Sequence, residues 1–211
     1  MDLEDLLEQA VSAYSQVSDY TCLFDRTELV GDRLVVAKNS VFRFKKPKSI
    51  YLNMKEGKNK GVVSVYIEGE NEGKLIVRPK GVLGVLRIKL DPEGKRAMED
   101  SRHSITDAGI GQILQIVKDN YGRWKSSGLG TVSYLGEVDQ PGGSAHAVKA
   151  VFPEGAGYYG HVIDIHFDSR SLLPVKISVL DWENRLVEEY EYRDIMLNPN
   201  LTDEDFTLDR S

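Results

Sequence analysis

Apolar residues at Leu3, Leu6, Leu7, Ala10, Val11, Tyr14 and Val17 recur at helical spacing. Asp2, Glu4 and Asp5 fall in the first turn, where the helix dipole favours negative charge. An N-terminal amphipathic helix with one buried face is predicted. From Tyr20 the period changes to two, the alternation of a strand that buries one side. Tyr20, Cys22 and Phe24 open this pattern. After a break at Gly31-Asp32, Leu34 and Val36 and then Phe42 and Phe44 mark a long strand ending at Pro47. Ile50, Leu52 and Met54 follow, then Val63, Val65 and Ile67, then Leu75 and Val77, stopped by Pro79. Turns of hairpin length at 57–61 and 70–73 join these runs, which predicts an antiparallel meander.

Two stretches depart from the meander. Gly81-Val82-Leu83-Gly84-Val85-Leu86 sets apolar residues where a polar turn is expected, so it is either covered by another element or an exposed apolar tip. Between Asp91 and Trp124 the helical period returns. Ile110, Ile113, Leu114, Val117 and Tyr121 form its stripe, Ile116 widens it, and Ser104-Ile105-Thr106-Asp107 reads as the capping box at its start. Gly109 and Gly111 weaken this helix by about 1 kcal/mol each. That suits a mobile cover and equally a close crossing with the sheet. Residues 91–124 are therefore expected as a helical lid insertion in a single domain spanning 1–211.

Beyond Gly128 the β pattern resumes: Val132, Tyr134 and Val138; His146, Val148, Ala150 and Phe152; Ile163, Ile165 and Phe167; Val175, Ile177 and Val179; Leu186, Tyr190 and Tyr192. The fold class is mainly β (α+β), with about eleven strands, and no segment repeats at the fixed period of a propeller or solenoid.

At 211 residues the chain can bury roughly 70% of its unfolded surface, so folding needs neither metal nor disulfide. Cys22 is the only cysteine, which excludes an internal disulfide and a multi-cysteine metal site. Its place between Tyr20 and Phe24 suggests a packed thiol. No apolar run approaches the ~18 residues of a membrane span. The net charge of -6 argues against nucleic acid as a partner. Its distribution is lopsided, since residues 33–96 carry +10 and the remainder -16. Arg43, Lys45, Lys46, Lys48, Lys55, Lys58 and Lys60 cluster along two adjacent strands and their turn. This is either a solvated sheet face or a docking surface for an acidic partner or anionic head groups.

Nothing resembles an active site. Asp164, His166 and Asp168 alternate on one strand face, as a divalent-cation site would, but they are also what a half-buried strand shows to water. Ser101, Arg102, His103, Ser104 and Asp107 gather a hydroxyl, an imidazole and a carboxylate, yet Ser104 and Asp107 are better explained as helix caps. Gly109-Ile110-Gly111 lacks the third glycine and the strand-before-helix context of a dinucleotide motif. No catalytic residue, metal or cofactor is expected.

The segment Gln16-Val17-Ser18-Asp19-Tyr20-Thr21-Cys22-Leu23-Phe24 after a helix is similar to the opening of periplasmic lipoprotein carriers of the LolA-like superfamily. The strand 40–47, Ile67-Glu68-Gly69-Glu70 before Leu75-Ile76-Val77, and the closing 201–208 match in order. The segments 101–109 and 66–71 resemble more closely an uncharacterised bacterial branch of that superfamily. The resemblance implies a curved antiparallel sheet forming an unclosed barrel, its apolar concave face covered by helices that shelter acyl chains. It implies lining by Phe42, Phe44, Leu52, Met54, Val65, Ile67, Ile113, Leu114 and Val117. It also implies a monomeric, non-enzymatic, extracytoplasmic binder exported by a signal ahead of Met1. Envelope sensing through a filled core and a basic docking face is the alternative. Where the carriers use an arginine before the strand-ending proline to hold the lid, this chain has Lys46, a point charge in place of a planar fork of donors.

Overall fold

The computed structural model describes residues 2–81, 86–140 and 142–208. Val82-Leu83-Gly84-Val85, from the apolar stretch expected to be either covered or an exposed tip, lies outside them. The helices are α1 (Leu3–Ser15) and α2 (Ile110–Ser127). The strands are β1 (Asp19–Val30), β2 (Arg33–Lys45), β3 (Ser49–Asn53), β4 (Val63–Ile67), β5 (Leu75–Arg78), β6 (Ile88–Leu90), β7 (Thr131–Gln140), β8 (Gly143–Val151), β9 (Val162–Asp168), β10 (Pro174–Leu180) and β11 (Leu186–Leu197). They form one antiparallel sheet in the order β6-β5-β4-β3-β2-β1-β11-β10-β9-β8-β7, not closed into a barrel. Strands consecutive in the chain pair with each other in each half of that order, the meander that the alternation predicts.

The chain groups into two compact units. One comprises residues up to Gln16 with Gly109–Glu191, and the other Val17–Ala108 with residues from Tyr192 onward. The stretch 91–124, expected as one helical insertion, divides between them. Residues 91–108 are irregular apart from a 3-10 turn at Ile105–Asp107, and α2 begins only at Ile110. The Ser104 hydroxyl does cap, but it accepts from the Thr106 amide of that short turn at 3.3 Å. The residue preceding α2 is Gly109 at φ 121, a backbone conformation that glycine adopts without a Cβ penalty.

In the second unit Tyr20, Phe24, Phe42, Phe44 and Tyr192 form an aromatic cluster, with Phe24 stacked on Tyr192 at 4.8 Å between centroids and Tyr20 on Phe44 at 5.3 Å. Cys22 lies on the same face, and burial pushes its thiol pKa up. Farther along β2 the buried residues are Val35 and Ala37, while Leu34 and Val36 are exposed. Simple alternation expects the reverse. The pairing passes from Phe24↔Ser40 to Arg26↔Ala37, so β2 carries one extra residue, with Asn39 at φ 52. A bulge of one residue exchanges the two faces of the strand beyond it.

Residues 91–108 are pinned to β1 by a polar cluster. Glu28, 1% exposed, pairs with Arg26 at 3.4 Å and accepts from the Arg102 amide at 3.1 Å. The Ser101 hydroxyl accepts from Arg26 at 2.8 Å and donates to the His103 carbonyl at 2.8 Å. The hydroxyl and backbone of this segment thus tie the loop down. The opposite face of β3 and β4 is covered by the chain's end, where Phe206 and Leu208 pack on Tyr51, Val63 and Val65.

In the first unit α1 lies on α2, and α2 on β10. Gly111 is the point of close approach. A Cβ there would stand 2.7 Å from the Tyr14 Cζ. The close approach at Gly111 is to a helix, α1, and not to the sheet as a helix–sheet crossing would have it.

Candidate functional site

A cavity in the first unit is roofed by the two helices and floored by three strands. Leu3, Leu6 and Leu7 come from α1; Ile116, Val117, Asn120 and Tyr121 from α2; Val132 from β7. Val148 and Ala150 of β8 with Phe152 just beyond it, and Ile163, Ile165 and Phe167 of β9, complete it. Each set follows from local periodicity: the stripes of α1 and α2 face inward, and β9 turns its odd-numbered residues to the same side. Only Asn120 and Tyr121 bring polar groups. The volume open to the centre of a water-sized sphere is about 30 Å³. That is room for about one water, which such apolar walls would not hold.

Two surface clefts share walls with this cavity. The first, about 390 Å³, is formed by Asp2, Leu3, Glu4, Tyr121, Trp124, Lys125, Val132 and Tyr134. Here Lys125 pairs with Glu4 at 2.9 Å, which raises the lysine pKa, while burial raises that of the Tyr121 phenol. The second, about 410 Å³, is formed by Ile116, Asp119, Asn120, Arg123, Gly157, Tyr158 and Tyr159. Asn120 stitches its two sides together, donating to the Ile116 carbonyl at 2.7 Å and accepting from the Tyr159 amide at 3.1 Å. The Tyr159 hydroxyl donates to buried Glu188 at 2.6 Å.

The residues expected to line a trough are distributed more widely. Val117 lines the cavity, and Ile113 and Leu114 are buried on α2 beside it. Phe42, Phe44 and Leu52 lie on one face of the second unit's strands, with Met54 just past the end of β3. Val65 and Ile67 belong to the opposite face, against Phe206 and Leu208. The register pairs Leu52 with Ser64 and Tyr51 with Val65, so Leu52 and Val65 cannot share a surface. The β8 and β9 residues that floor the cavity show the same alternation in the sequence, where nothing separates a cavity floor from an ordinary core strand.

The seven basic residues also separate. Arg43 stacks over the Tyr51 ring at 4.5 Å and donates to the Asp205 carbonyl at 3.1 Å. Lys45 pairs with Asp203 at 3.1 Å and Lys58 with Asp100 at 2.7 Å. Lys55 and Lys60 are exposed, while Lys46 and Lys48 are half-buried, and desolvation lowers the Lys46 pKa. Asp164 lies 3.8 Å from Lys149, His166 bonds Gln140 at 2.9 Å, and Asp168 accepts from the Arg170 and Ser171 amides. Among the described residues no three His, Cys, Asp or Glu side chains gather as a metal site, and no helix is long and apolar enough to cross a membrane.

The family model for "Protein of unknown function (DUF1571)" matches residues 17–210. The chain belongs to this family. A comparison with curated proteins finds no match. Among solved structures, the Mycobacterium tuberculosis lipoprotein LppX is similar at 13% identity, over 95% of this chain and 99% of that one, with a TM-score of 0.53. An uncharacterised conserved protein from Thermus thermophilus has 9% identity over 96% and 91%, with a TM-score of 0.51. A chain of the Pseudomonas aeruginosa MucA/MucB complex has 13% identity and a TM-score of 0.50, covering 98% of this chain but only 61% of that one. At these identities the likeness is one of fold. The DUF1571 chain thus has an unclosed antiparallel sheet with helices, the fold class that the LolA-like resemblance implies.

Proposed function

We propose that this chain is a non-enzymatic, extracytoplasmic binder of a lipid or lipoprotein acyl chain, which enters between the helix pair and β7–β9. The observation that carries this reading is the wall of the cavity: twelve of its fourteen residues are apolar, and two amphipathic helices cover one side. Helices held to a sheet by side-chain packing can separate from it without breaking a backbone ladder. At about 30 Å³ the cavity is far smaller than an acyl chain. Binding therefore lifts α1 and α2, and each methylene then buried contributes roughly 0.8 kcal/mol towards the cost.

The same small volume supports a second reading, an envelope protein-interaction or sensing module with a filled core and Lys48, Lys55 and Lys60 among its docking contacts. A fold shared with a chain of a protein–protein complex is in keeping with it.

Native mass spectrometry of the purified protein and titration with a fluorescent acyl probe separate the two. A co-purifying hydrophobe, or probe enhancement abolished by Val117→Phe in a variant that still melts cooperatively, supports the binder. No hydrophobe and no enhancement in the wild type would refute it and leave the interaction module.

A further inference from the structure

The two clefts flanking the cavity differ in charge, and that difference gives a bound amphiphile a direction. In the cleft beside α1, the single cation Lys125 is already paired with Glu4 at 2.9 Å, and Asp2 adds a second carboxylate. A negative head group there meets an excess of acid. In the cleft between α2 and the loop 157–159, Arg123 forms no ion pair among the described residues. Its guanidinium lies against Gly157, where a Cβ would come within 3.2 Å of Nη1. Asp119, the one carboxylate lining that cleft, accepts from the Gln115 amide at 2.7 Å. Ile116 and Asn120 belong to both cleft and cavity, so a head group at Arg123 sits one residue layer from the apolar interior.

We propose that this cleft is the head-group subsite for a single-chain amphiphile with an anionic head, its carboxylate or phosphate on Arg123 and its tail in the cavity. The proposal rests on the binder reading above. Arginine suits the task because its planar fork can hold two oxygens of such a group at once. Asn120 bridges the cleft's two sides, so its bonds give way when the tail passes from cleft to interior.

The test uses a dansyl-labelled fatty acid and the primary alcohol of the same chain length, each titrated into the full chain. The wild type binds the acid more tightly than the alcohol. Arg123→Gln weakens the acid by about three- to tenfold, the range between an exposed ion pair and a charge-assisted hydrogen bond, and leaves the alcohol unchanged. Arg123→Lys restores part of the loss, and Asp119→Asn strengthens the acid alone. Equal binding of both probes by the wild type, or an equal effect of Arg123→Gln on both, overturns the head-group subsite while the binder reading stands. If neither probe binds, both fall.

Discussion

Gly111→Ala tests the packing of the lid helices. In an exposed helix, replacing glycine by alanine gains up to about 1 kcal/mol. At Gly111 the added Cβ would meet Tyr14 Oη, with Cζ at 2.7 Å and Cε1 at 2.9 Å. Tyr14 must then swing away, which overpacks the helix pair at about 1–3 kcal/mol. It also gives up its hydrogen bond with the Gly111 backbone, worth about 0.5–1.5 kcal/mol. The net expectation is a loss of about 2 kcal/mol, a fall of about 4–8 °C in Tm for a chain of this size. Gly122, on the same helix, has nothing within 4 Å of its Cβ position. Gly122→Ala should therefore raise Tm by about 2–4 °C. Differential scanning calorimetry of the two variants measures the contrast, and Tyr14→Ala with Gly111→Ala should recover part of the loss. A Gly111→Ala protein as stable as Gly122→Ala would refute a close α1–α2 crossing at this point.

Three further outcomes are expected. Glu28→Ala leaves the part-buried Arg26 without its carboxylate partner and frees residues 91–108, costing about 3–5 kcal/mol in urea unfolding; a loss under about 1 kcal/mol would mean that the cluster is hydrated. Phe206→Ala opens the cluster around Tyr51, costs about 3–5 kcal/mol, and should expose the C-terminal segment to limited proteolysis before the rest. Lys58 and Asn59 hold the Asp100 carboxyl below its ordinary pKa of 3.8. Its contribution is therefore complete above that value and is lost as pH falls through the lowered pKa. Asp100→Asn should flatten stability against pH in that acid window and leave the slope near neutrality unchanged.

Much of the fold is legible in particular runs of residues. Ile163-Asp164-Ile165-His166-Phe167 alternates so regularly that β9 and its buried face follow at once, and the α2 stripe from Ile110 to Tyr121 faces inward as its spacing requires. Local signals failed where a long-range partner decided the outcome. Leu34 and Val36 have the period of a buried face, but the extra residue near Asn39 is visible only once β1 is laid beside β2. Ser104 is a good cap, but nothing nearby in the chain shows that its turn belongs to a loop held by Glu28 and Arg26 on β1.

Periodicity and residue chemistry are local properties, and they sufficed for the two amphipathic helices and for every strand except the short β6. The packing of distant segments settled the rest: β7–β9 floor the cavity, Val65 and Ile67 face the C-terminal segment, and Lys125 is ion-paired while Arg123 forms no ion pair among the described residues. Burial of apolar surface is non-directional. A buried stripe therefore announces that something covers it without saying what, and only the packing of distant segments supplies that partner.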